Sequence, residues 1–276
     1  MFERLLDVLG NPHFEAYVGG PIVGVLVSLI FASFGNRSSS SNGQSPQDIY
    51  VEIIERRFHE RPARRGNAQG QNNGDGGAAM GLALVGLGLC FLFVAYLPKI
   101  SFGLCFFITS VSAFTISTCL LGVVFGQFNT FNWWRHTIFP SAVSMVSLYS
   151  VVRAENAIDI NVVNFAQGLL GNGPLTFVRI IDSTVSFYKS LNDAYVKWIF
   201  YQIAAFAFSL FASLEAFLQW FHYIALANSR DGSAAWATLA IRTSRFGSLS
   251  AIFTAILFSA LAWLCASGMA YSFFHG

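Results

Sequence analysis

Apolar residues fill this chain in long blocks, and polar residues gather into one long stretch and several short ones. The longest block, residues 197–228, reads KWIFYQIAAFAFSLFASLEAFLQWFHYIALAN. A run of about 18 or more mostly apolar residues is long enough to cross a bilayer as a helix, so this block predicts a transmembrane helix. Blocks 16–34, 79–97, 101–126 and 247–274 meet the same criterion, whereas 137–152 is shorter. That shorter block crosses, dips in as a re-entrant piece or packs within protein, and its length leaves all three open.

Details at the block edges refine the reading. Block 16–34 is a retained span rather than a cleaved signal peptide, because acidic residues precede it and no clean A-x-A site follows. Its core also exceeds the ~7–15 residues of a signal sequence. Gly20 and Gly24 have the spacing of a close helix contact, although glycine is common in membrane helices. Pro98-Lys99 separates blocks 79–97 and 101–126, which predicts a helical hairpin over 79–126. In the segment 127–136, Trp133, Trp134 and Arg135 lie together, a pattern that anchors a span at the membrane interface. Within 175–195, Phe177, Val178, Ile181, Val185, Tyr188, Leu191 and Tyr195 recur at three and four, with Arg179, Asp182, Lys189 and Asp193 off the stripe. This is an amphipathic helix that lies along the membrane surface or packs over the bundle. Residues 229–246 read as a short basic connection.

The long polar stretch, 35–78, holds one element. Ser45, Pro46 and Asp48 form a helix-start pattern, and the helix runs to about His59 with Tyr50, Ile53, Ile54 and Phe58 on one side. Arg56, Arg57, Arg61, Arg64 and Arg65 cluster at its end. The segment is a solvated helix in an ordinary positive-inside loop, or an interfacial helix contacting anionic lipid or a partner. Glu52, Glu55 and Glu60 offset much of its charge and weaken the lipid version. The arginines place 35–78 in the cytoplasm and the N-terminus outside. If 137–152 crosses there are six spans, with ten of the sixteen positive residues inside and the C-terminus outside; otherwise there are five, with the C-terminus inside.

Composition agrees with this pattern. The chain is 54% hydrophobic and 11% charged, with mean hydropathy +0.55, against ~25% charged in average soluble proteins. The expected fold is therefore all-α, a polytopic transmembrane bundle of five or six spans with amphipathic or interfacial helices. It belongs in a cell or inner membrane. The net charge of +2 and the lack of a basic block with interleaved aromatics point away from nucleic acid. Cys90, Cys105, Cys119 and Cys265 all sit in apolar blocks with no C-x-x-C pair, so neither a metal nor a cofactor is expected.

Candidate chemistry lies within 197–228. Glu215, Gln219 and His222 stand at i, i+4 and i+7 and share one helix face, with Tyr201 roughly in line. An ionisable group in a span costs at least ~2.5–3.5 kcal/mol to insert, so it faces protein or water rather than lipid. The four residues are expected either to fix helix packing and subunit register or to line an ion pathway. No catalytic motif occurs, so an enzyme is not expected. The expected function is a non-enzymatic subunit or scaffold of a membrane complex, forming homo-oligomers or binding other subunits. The alternative is an ion- or proton-conducting channel that uses Glu215.

Overall fold

The computed structural model describes residues 12–35, 76–124, 131–171, 176–229 and 234–275. All regular structure among them is helical. In order these are α1 (Pro12–Gly35), α2 (Gly76–Ala95), α3 (Leu97–Val124), α4 (Phe131–Asn156), α5 (Ile160–Leu170), α6 (Phe177–Ser190) and α7 (Asp193–Ser229). After these come α8 (Ala234–Arg242), a 3₁₀ turn (Ser244–Gly247), α9 (Leu249–Ala266) and α10 (Met269–His275). Three segments are long and apolar enough to cross a membrane: Leu97–Leu120, Asp193–Leu226 and Leu249–Ala266.

Polar side chains set several of the ends. The Asp159 carboxylate accepts from the Asn161 amide at 2.9 Å and starts α5. Asn192 does the same for α7 through the Ala194 amide at 3.1 Å, and Ser248 for α9 through Ala251 at 3.4 Å. Such caps satisfy backbone donors that have no partner inside the helix. The predicted helix over 175–195 is therefore divided, with α6 ending at Ser190 and Asn192 opening α7. Block 247–274 is likewise broken at Gly268, whose φ of 79° closes α9, and α10 follows. The expected connection over 229–246 is folded too, as α8 and the 3₁₀ turn.

Helix α7 lies at the centre. It packs against α4 on one side and α9 on another, while α3 packs on α4 and α1 packs on α3. Helices α1 and α3 run parallel: Gly20 sits against Phe106 and Thr109, and Gly24 against Ser110 and Phe114. The Thr109 hydroxyl lies 3.0 Å from the Ala16 carbonyl oxygen across this contact. Helix α4 runs back, so Ser101 pairs with Glu155 at one end of α3 and Thr115 meets Ser141 at 2.7 Å farther along. Helix α7 turns again, with the Trp198 indole donating to Ala157 at its start and Ala212 and Ala216 against Val143 beyond. Helix α9 returns alongside it, with Gly247 beside His222 and Gly268 beside Trp198. The end where α3 begins is hereafter the near end, and the opposite one the far end.

One open reading narrows here and one expectation changes. Residues 137–152 belong to α4, whose 26 residues pack among α3, α7 and α9. At ~1.5 Å per residue the helix is about 39 Å long. The predicted hairpin over 79–126 does not form. Only Tyr96 interrupts the helix between α2 and α3, and hydrogen bonds run through it, from its amide to Leu92 (2.9 Å) and from Ile100 to its carbonyl (3.0 Å). Pro98 sits in the first turn of α3, where its missing N–H is harmless, so it bends the chain without reversing it. Helix α2 packs instead on α5 and α6. The Gln167 amide donates to Ala95 at 3.0 Å, and the Phe91 ring lies 5.3 Å from that of Phe187.

Candidate functional site

Glu215, Gln219 and His222 occupy one side of α7 towards the far end, as their spacing requires. That side faces α8 and the 3₁₀ turn. His222 is buried, and its Nδ1 lies 3.0 Å from the Thr243 hydroxyl. That hydroxyl itself lies 2.9 Å from the Leu239 carbonyl oxygen. With the Thr243 proton directed to Leu239, Nδ1–H is the donor to Thr243. The ring also meets the Ala240 backbone and fills the space over Gly247, where a Cβ would fall 2.6 Å from it. Gln219 is buried, and neither atom of its amide has a hydrogen-bond partner. Glu215 is partly buried, with Oε2 enclosed and unpartnered, and Arg245 of the 3₁₀ turn is close enough to act on it electrostatically.

Tyr201 is not part of this group. It lies 14 residues before Glu215 on α7, about 21 Å along the axis. Its ring meets Tyr271 at 5.8 Å and His275 at 6.1 Å, at the near end. The shared helix face hid the separation along the axis. Trp133, Trp134 and Arg135 fall at the start of α4, and their side chains are outside the described residues. The cluster Arg56, Arg57, Arg61, Arg64 and Arg65 also lies outside the described residues.

A second set of buried polar residues lies on α4 and α7. Gln202, Ser209 and Ser213 are fully buried on α7, about 140° around the helix from Glu215. Ser144 and Ser147 are fully buried on α4, on the face shared with Val151 and Ala154. None of these five side chains has a hydrogen-bond partner, whereas Thr115 and Ser150 bond back to carbonyls of their own helices, as hydroxyls in helices commonly do. The sequence signal was the seven- and eleven-residue spacing of Gln202, Ser209 and Ser213, masked by the charged residue elsewhere on the helix. Interleaved with Ala205, Ala212 and Ala216, all buried, these small residues let α4 and α7 approach closely. In lipid, where apolar burial offers no drive, such close contact is what holds helices together.

A third cluster joins three helices at the near end. Ser101 donates to Glu155, and the Cys105 thiol is within hydrogen-bond reach of both Ser101 and Tyr17. Among the described residues, no group of three or more His, Cys, Asp or Glu is placed to hold a metal ion. A groove of about 430 Å³ runs between α4 and α9, lined by Phe139, Ala142, Val146, Ile256, Ala260 and Trp263. It offers lipid or protein an apolar wall and no chemistry. No family model, curated protein or solved structure matches the chain.

Proposed function

We propose that this chain is a non-enzymatic multi-pass membrane protein that serves as a subunit or scaffold of a membrane complex. The observation that carries this reading is the covering of the Glu215–His222 face by α8 and the 3₁₀ turn, with His222 engaged by Thr243. A polar face used for tertiary contact is what a packing role requires, and an ion path needs it open to water. The alternating direction of the helices supports several passes. Helices α1, α3 and α7 run from near to far end, and α4 and α9 return. The segment 36–75 leaves α1 at the far end, where Arg135, Arg242 and Arg245 also lie, and on this reading the positive-inside rule makes that end cytoplasmic.

The second reading is a channel that conducts ions or protons past Glu215. One observation favours it: Glu215 Oε2 and both Gln219 amide atoms are enclosed without partners, and unsatisfied buried polar atoms are costly unless used. Reconstitution of wild type and Glu215→Gln into liposomes separates the two. On the first reading neither passes more protons or cations than protein-free vesicles. Native mass spectrometry then finds several copies together or a co-purifying protein. Flux lost in Glu215→Gln decides for the channel, and a lone, non-conducting monomer overturns the assembly.

A further inference from the structure

Helix α6 has three sectors where an ordinary amphipathic helix has two. The sector turned to the protein holds Ser183, Thr184 and Phe187, all buried. Phe187 packs on Phe91 and Phe165, and the Ser183 hydroxyl donates to the Leu169 carbonyl at 3.1 Å. The first part of the apolar stripe that the sequence marks is turned away from the bundle: Phe177 is 70% exposed, Val178 68%, Val185 42% and Ile181 37%, while Tyr188, Leu191 and Tyr195 of the same stripe pack against the core. A third sector, beyond the stripe, carries Asp182, Ser186 and Lys189, also exposed. Around the helix the order is protein, apolar, polar.

A free apolar stripe between a protein contact and a charged edge fits the boundary between acyl chains and headgroups. The position of α6 agrees. Only Leu191 and Asn192 separate it from α7. Tyr188 stacks on Phe200 of α7 with ring centroids 6.3 Å apart, and Phe200 is itself exposed on the flank of a candidate span. Its stripe is thus continuous with the lipid-facing surface of the central helix. Burial raises the Tyr188 phenol above its ordinary pKa, with Cys90 adding to the effect. The neutral hydroxyl donates to the Leu87 carbonyl at 3.3 Å, locking α6 to α2. Charges on α6 and its edge are balanced, Arg179 and Lys189 against Asp182 and Asp193, so electrostatic attraction to anionic lipid contributes little.

We propose that α6 is an in-plane membrane element, seated at the acyl–headgroup boundary of the near-end leaflet. Phe177, Val178, Ile181 and Val185 enter the acyl region, while Asp182, Ser186 and Lys189 face water. Insertion is apolar in origin and indifferent to headgroup charge. The proposal rests on the membrane reading above, and alkaline carbonate extraction tests that reading separately: a protein that extracts as soluble sinks both.

For a protein retained by the membrane, a benzophenone amino acid is placed at Phe177, Val178, Asp182 or Lys189 of the full chain. Each variant is reconstituted in phosphatidylcholine vesicles with or without phosphatidylglycerol and irradiated. Lipid adducts are expected several-fold more often at 177 and 178 than at 182 and 189, at similar yield in both lipid mixtures. Equal yields at all four positions, or no lipid adducts at 177 and 178, overturn the proposal. Adducts to a second copy or another protein at those positions assign the stripe to a protein partner instead. A large gain with phosphatidylglycerol overturns the apolar origin. Variants at 177 and 178 alter exposed side chains, so the bundle tolerates them, and unchanged gel-filtration profiles verify it.

Discussion

At Gly24 of α1, a side chain as small as alanine's meets the Ser110 carbonyl oxygen and the Phe114 amide of α3. Both are backbone atoms, which cannot swing aside as a flexible side chain can. Gly24→Ala is therefore expected to destabilise the protein by about 1–3 kcal/mol, the usual cost of overpacking. Gly86, also helical, has nothing within 4 Å of an added Cβ. Gly86→Ala is expected to be neutral or slightly stabilising, since alanine is the better helix former by up to ~1 kcal/mol. Thermal unfolding of both variants in one detergent checks the contrast, and an equal response removes the α1–α3 contact from the account. The glycine pair was legible in the sequence, but its partner was not, because spacing marks a small surface without saying what approaches it.

At the scale of elements, the ends of helices are where pattern and structure part. Apolar content runs unbroken through 247–274, yet the chain breaks at Gly268. The reason is local: its φ is 79°, and a Cβ there would stand 2.7 Å from the Trp198 ring. Gly268→Ala combines left-handed strain with that clash, at a cost of about 1–3 kcal/mol. The expected result is a bundle that still assembles but releases α10 to limited proteolysis sooner than wild type. Unchanged cleavage of residues 269–275 contradicts it. Similarly, the hairpin expected over 79–126 yields to a bent junction at Tyr96, because α2 finds its partners in α5 and α6. Sequence pattern fixes which residues are apolar, and distant contacts choose the neighbour.

For the molecule as a whole, α7 sets the frame. Its candidate span of 34 residues is about 51 Å long, well beyond the ~30 Å hydrocarbon core. The excess has uses at both ends: Tyr201 meets α10 at the near end, and α8 with the 3₁₀ turn packs against His222 at the far end. On the proposed arrangement α1 and α9 cross in opposite directions, which places positions 40 and 276, after α1 and after α9 with α10, on opposite sides. Single cysteines, introduced in a background with the four native ones replaced, are expected to label from opposite sides at positions 40 and 276. Labelling of both from the same side refutes that arrangement.

The sequence by itself determined where the long apolar helices fall and the material of their walls. Blocks of apolar residues long enough for a bilayer, a charged fraction of 11% and the i, i+4, i+7 placement of Glu215, Gln219 and His222 follow from local covalent order alone. Helical periodicity also fixed the stripe on α6. Tertiary structure decided which way each surface turned. It covered the Glu215 face with a segment that had read as a mere connection, and it separated Tyr201 from that face. It also set the serines of α4 and α7 within the bundle and turned Phe177, Val178, Ile181 and Val185 of the α6 stripe outward. Periodicity assigns residues to a face of their own helix, whereas burial depends on what the rest of the chain brings against that face.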